Sequence, residues 1–329
     1  MSQQSSVASN ATTTNPLQQV VSTLRNQQFL NTLIAIVVMY LVFTLMTGET
    51  FNTARNQITI LRAAAVFLVL ATGQTLIMTT GGIDISTGSM VGVVGALVGS
   101  GLQTEVIHPV FAVPLAIVIG ALLGGINGFN VTVLKVPPLL ATLGTFVAYR
   151  GFTQEFMGVN LVTGLPDVIT QVGRANVFGF PVAVYIALFI AVLGWFLLNY
   201  TLFGRYITAI GSNARAAQVT RINVRLVTSL AYIFQGALAG IAALVLMGRL
   251  NSASAALGEG LELIVIAGVV LGGTFLFGGR STIIGTVLGV YLIAMLENGL
   301  IQTGAGFFTQ RIILGILIIA AVAMQVNRK

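Results

Sequence analysis

Apolar residues run along this chain in long stretches, separated by short polar or Pro/Gly breaks. The pattern predicts ten helices, at about 29–46, 57–79, 86–102, 109–134, 139–156, 182–198, 226–247, 261–277, 283–297 and 310–326. Each is close to the roughly 20 residues needed to cross the hydrocarbon of a bilayer, the third and ninth being short. The stretches are too long and too continuous for the alternating strands of an outer-membrane barrel. Residues 1–28, rich in Ser, Gln, Thr and Asn with Arg25 the only charge, read as a disordered polar tail. Residues 29–326 form the membrane domain, and the tail lacks the basic start of a signal peptide.

Composition fixes the class. Of 329 residues, 56% are hydrophobic and 7% charged, whereas a soluble domain carries about 25% charged residues. Lipid must cover the surplus apolar surface, so the fold class is an all-α membrane protein. There is no cysteine, which excludes disulfides and thiolate metal sites. The one histidine, His108, precedes Pro109 in a short inter-helix segment and reads as a solvated loop residue.

The basic residues lie in short loops, as membrane topology requires, rather than in a patch that would bind nucleic acid. With a cytoplasmic N-terminus, the inner side holds nine cations: Arg25, Lys135, Arg205, Arg215, Arg221, Arg225, Arg280, Arg328 and Lys329. The outer side holds six: Arg55, Arg62, Arg150, Arg174, Arg249 and Arg311. Four of the nine fall in the 199–225 loop, which favours both termini in the cytoplasm. Glycines recur at four-residue spacing, as at Gly88/Gly92, Gly95/Gly99, Gly120/Gly124/Gly128 and Gly285/Gly289. Such ridges let helix backbones approach closely in lipid.

Two segments and several isolated polar residues carry more than packing. In Gly81-Gly82-Ile83-Asp84-Ile85-Ser86-Thr87-Gly88-Ser89 two glycines interrupt the helical pattern, and Asp84 or Ser86 is placed to cap the next helix. An acid at membrane depth is expensive and often functional; the plainer reading is an N-cap at the cytoplasmic edge. Gly211-Ser212-Asn213 reads as a turn and N-cap before a two-turn helix, Ala214 to Thr220. Its Ala216/Ala217 surface, flanked by Arg215 and Arg221, suits a groove on a partner. Neutral amides and hydroxyls inside spans, namely Gln74, Asn127, Asn130, Thr142 and Thr145, must face the bundle or a pathway, since facing lipid they would cost several kcal/mol. They are candidates for a solute path with Asp84 and Ser86, or simple interhelical fasteners. Arg55, Arg174 and Arg249 are candidates for docking an outer partner, or ordinary surface cations.

The first segment resembles the Gly-Gly-Ile-Asp-Leu-Ser-Val-Gly-Ser signature of the ribose-type permeases of bacterial ABC importers. Residues 202–217 resemble that family's cytoplasmic loop, and 258–279 its eighth-span region; the resemblance covers about 57–326. Three positions depart from it: Thr87 replaces valine, Arg221 stands where glycine is common, and Ile264 replaces an acid or polar residue. The resemblance implies a ten-helix permease bundle in the bacterial inner membrane, paired with a second permease copy or paralogue. It also implies two cytoplasmic ATPases, docked on Gly211, Ser212, Asn213, Arg215, Ala216, Ala217 and Arg221, and a periplasmic or lipid-tethered binding protein. The chain has no Gly-x-x-x-x-Gly-Lys-Ser/Thr loop and just two lysines, Lys135 and Lys329, so ATP and magnesium are expected on the partner, with no cofactor here. No catalytic constellation is present. An ion-coupled transporter needs mid-span acids, which are nearly absent. A permease for nucleosides or branched-chain amino acids is a nearer alternative, although the Gly-Gly-Ile-Asp-Ile-Ser run speaks against the amino-acid branch. A channel is a further one.

Overall fold

A computed structural model describes residues 27–326. Residues 1–26 of the polar tail, with Arg25, and Asn327, Arg328 and Lys329 lie outside the described residues. The chain is an all-α membrane protein with two minor strand pairs. Its helices are α1 (Gln27–Thr47), α2 (Ala54–Thr79), α3 (Thr87–Gln103), α4 (Ala112–Thr132), α5 (Pro138–Met157), α6 (Asp167–Arg174) and α7 (Val182–Tyr200). There follow α8 (Leu202–Ser212), α9 (Ala214–Val219), α10 (Val224–Leu250), α11 (Leu261–Leu271), α12 (Ile283–Gln302) and α13 (Phe307–Val326).

A helix lies on each of the ten expected segments. Among the described residues, six helices are long and apolar enough to cross a membrane: α1, α2, α4, α7, α10 and α12. Local chemistry explains their starts. Thr53, Asn223 and Thr282 each accept a hydrogen bond from the backbone N–H three residues on, capping α2, α10 and α12. Pro138 opens α5, where a missing N–H costs nothing.

Helix α2 is the axis of the bundle. Every residue from Ala64 to Thr79 is buried, with α7, α10, α11 and α12 packed around it. Helices α4 and α10 form the tightest pair. A β-carbon at Gly236 would lie 2.1 Å from the Gly120 carbonyl oxygen, and one at Gly124 would lie 2.1 Å from that of Tyr232. The predicted glycine ridge is thus a backbone-to-backbone seam.

Four expectations change. The eighth segment is helical only to Leu271, because Gly272 and Gly273 (φ +92) turn the chain. At 1.5 Å per residue, α11 spans about 16 Å, too short to cross alone. The following non-helical stretch folds back onto α2, where the Gly279 N–H donates to the Thr79 carbonyl at 3.0 Å; buried irregular backbone is tolerated at membrane depth. The ninth segment runs on to Gln302, so Glu297 sits within α12 rather than at its end. In the 199–225 loop, α9 falls on the expected Ala214–Thr220 helix, but Leu202–Ser212 is a further helix, α8, which Gly211-Ser212 ends instead of making a turn. Between α5 and α7 lie α6 and three short strands, one of which pairs with a fourth strand beyond α10. Strand β1 (Val162–Thr163) pairs with β4 (Ser252–Ala253), and β2 (Asn176–Val177) with β3 (Phe180–Pro181).

Candidate functional site

The break between α2 and α3 passes through the interior. Gly81 adopts φ +86, and a side chain on Gly82 would crowd the Tyr232 hydroxyl, 2.9 Å from a β-carbon there. Asp84, Ser86, Thr87 and Ser89 have no exposed surface, so the turn is enclosed by the bundle.

The capping expectation is corrected. Asp84 Oδ1 accepts from the Ser86 backbone N–H at 2.8 Å and from the Ser86 hydroxyl at 2.7 Å. Ser86 occupies the N-cap position of α3 without a side-chain cap bond. The acid holds the turn instead of the helix.

From this turn, hydrogen bonds reach two further helices. Asn127 of α4 donates through Nδ2 to Ser86 Oγ at 2.7 Å and lies 3.4 Å from Asp84 Oδ2. The Thr145 hydroxyl of α5 donates to Asn127 Oδ1 at 2.6 Å. Thr142 Oγ1 accepts from the Ile85 N–H at 3.3 Å and lies 3.1 Å from the Ile83 carbonyl oxygen. Five of the seven candidate pathway residues therefore form one buried network joining the α2–α3 break, α4 and α5. A carboxylate supplied with donors in this way is tolerated away from water. Gln74 is buried on α2 before the break. Asn130 is half-buried and contributes its backbone carbonyl, which accepts from the Val136 N–H at 3.1 Å.

Sequence reasoning missed the side chains that close the site from α10 and α11. Gln235 Nε2 donates to Thr87 Oγ1 at 3.1 Å. Gln235 Oε1, the Tyr232 hydroxyl and Glu262 Oε2 are buried with no hydrogen-bond partner among the described residues. A β-carbon at Gly88 would sit 2.2 Å from Glu262 Oε2, and one at Gly73 would sit 1.9 Å from Gln235 Oε1. The signal was available: Tyr232 and Gln235 interrupt an otherwise apolar span. No cluster of His, Cys, Asp or Glu suited to a metal occurs among the described residues.

The 211–221 segment splits into two faces. Asn213 caps α9, accepting from the Ala216 N–H at 3.0 Å. Arg215, Ala216, Val219 and Arg221 are exposed, whereas Ala217 is buried against Leu76, Ile207, Ile210 and Val227. Gly211 is pressed on Thr79 and Gly279, with room for no side chain. Ala217 and Gly211 are packing residues, which corrects the small-residue surface. Of the outer arginines, Arg55 and Arg174 are exposed and Arg249 is half-buried. Arg174 Nε donates to the Arg249 carbonyl at 3.0 Å, and Arg62 donates to the Arg174 carbonyl at 2.9 Å.

Residues 56–322 match the family model described as branched-chain amino acid transport system / permease component. The chain belongs to this permease family. It is 34% identical to the ribose import permease protein of Haemophilus influenzae, covering 88% of this chain and 90% of that one. It is 38% identical to the ribose import permease protein of Bacillus subtilis over 82% and 84% of the two chains. With the D-allose transport system permease protein of Escherichia coli the identity is 32% over 86% and 87%. No solved structure matches the chain.

Proposed function

We propose that this chain is the membrane-spanning permease subunit of a binding-protein-dependent ABC importer for a sugar or sugar-like solute. The observation that carries this is the match to ribose import permeases over more than four-fifths of both chains; the D-allose relative points to the same solute class. The permease lies in the bacterial inner membrane with ten crossings and both termini in the cytoplasm. The balance of arginine and lysine and the apolar helices support that topology. It pairs with a second permease copy or paralogue, two cytoplasmic ATPases that bind ATP and magnesium, and an outer binding protein.

The network of Asp84, Ser86, Asn127, Thr142 and Thr145 forms a closed seam on the solute path, with Gln74 and Asn130 flanking it. Hydroxyl and amide groups suit a sugar because the bonds are replaceable and no charge must be neutralised. The ATPase docks on the exposed face of Ser212, Asn213, Arg215, Ala216, Val219 and Arg221. The binding protein docks near Arg55, Arg174 and Arg249.

The test is uptake of ribose and allose by proteoliposomes holding the permease, its ATPase and its binding protein. Uptake that needs ATP on the ATPase side and persists with an uncoupler supports the reading. Uptake that collapses with the uncoupler while ATP remains makes this an ion-coupled transporter.

A further inference from the structure

Along the α4–α10 pair lie two cavities that differ in chemistry. The first, about 450 Å³, is an apolar groove formed by Val118, Leu122, Ile126 and Phe129 of α4 with Ile233 of α10. Gly125 lies in its floor. Unlike the seam glycines it is not needed for packing, since a β-carbon there would make only ordinary contact with Ile233, at 3.7 Å. Glycine at this position keeps the groove open. Val118 to Phe129 is eleven steps of α4, or about 16 Å, half of the roughly 30 Å hydrocarbon thickness.

The second cavity, about 470 Å³, lies further along the same helix, from Val131 and Thr132 to Lys135 just past the end of α4. Lys135, Arg225, Thr132, Thr228, Asn223 and Gln218 supply its polar lining, which holds two cations and no acid. Arg225 sits in the first turn of α10, where a cation works against the helix dipole. An anion between Lys135 and Arg225 relieves that placement.

We infer that these two cavities together are a binding site for one anionic phospholipid, its headgroup held by Lys135 and Arg225 and one acyl chain lying in the α4 groove. Charge complementarity selects the headgroup, and the groove's length along α4 matches one leaflet. Basic pockets between spanning helices are suited to such headgroups. The inference rests on the membrane character of the chain and not on what it imports. The headgroup would touch Gln218 of α9, so lipid occupancy bears directly on the helix proposed to face the ATPase.

The test uses purified full-length permease in detergent, titrated with phosphatidylglycerol or phosphatidylcholine and followed by thermal shift and native mass spectrometry. The wild type should bind phosphatidylglycerol more tightly, in a salt-sensitive manner. The double variant Lys135→Gln/Arg225→Gln should lose about 20-fold in affinity for phosphatidylglycerol while keeping its affinity for phosphatidylcholine. Gly125→Leu should weaken both lipids by filling the groove, and Gly125→Ala should do so to a lesser degree.

Equal wild-type affinity for the two lipids would overturn the site, as would full retention of the preference by the double variant. Saturation of the same thermal shift by inorganic phosphate alone would reduce it to an anion pocket without lipid. Halving of the particle mass in Gly125→Leu, with lipid counts unchanged, would make the face a contact between copies of the chain.

Discussion

Asn127 spends both ends of its amide inside the bundle, one on the α2–α3 break and the other on α5. Asn127→Leu removes the donor to Ser86 Oγ and the acceptor of the Thr145 hydroxyl, at about 0.5–1.5 kcal/mol for each lost bond. The variant should melt several degrees lower in a thermal unfolding assay. If it also lowers transport per folded complex, the seam lies on the solute path; loss of thermal stability alone would make it a fastener. Position matters as sharply on α9. Ala217→Glu places a carboxylate among Leu76, Ile207 and Ile210 and should abolish a stable permease in fluorescence size-exclusion profiles. Val219→Glu, at 84% exposure, should leave that profile intact and remove ATPase stimulation by the loaded binding protein. Full stimulation in Val219→Glu would place the ATPase contact elsewhere.

At the scale of elements, the α4–α10 seam sets a contrast between glycines. Gly236→Ala drives a methyl against the Gly120 carbonyl and should cost the seam several kcal/mol or prevent assembly, since backbone must give way. Gly125→Ala on the same helix should express and melt like the wild type, a difference readable from yield and melting temperature. What the sequence discloses follows the same division. Long apolar runs mark the spanning helices because lipid demands them, so each predicted segment holds a helix. The ridge of Gly120, Gly124 and Gly128 is also visible, but spacing within one helix names no partner, and Gly236 and Gly240 went unassigned. The end of α11 was hidden because Val269 to Phe277 stays apolar through the Gly272–Gly273 bend. Helices α6 and α8 carry polar and basic residues and read as loop. Asp84, Asn127 and Thr145 were legible singly as polar residues inside apolar spans; their convergence was not, because it depends on how three helices pack. Tyr232, Gln235 and Glu262 complete the site from helices whose relation to the motif only the fold reveals.

For the whole molecule, the absence of cysteine makes topology directly testable. Ser212 and Asn160 are both exposed. With the proposed orientation, Asn160→Cys should react with an impermeant thiol reagent in intact cells, and Ser212→Cys should react only after lysis. Labelling of position 212 from outside would reverse the arrangement. One feature of the bundle also constrains how it can move. Backbones meeting as closely as Gly120 with Gly236 and Gly124 with Tyr232 leave no slack for sliding, and packed interiors deform little. Helices α4 and α10 must swing together, as a single stiff lever. The pivots then fall to the short connectors at one end of the pair, where Lys135 and Arg221 hold left-handed backbone, at φ +58 and +62, and a small rotation there becomes a large stroke at the lever's far tip.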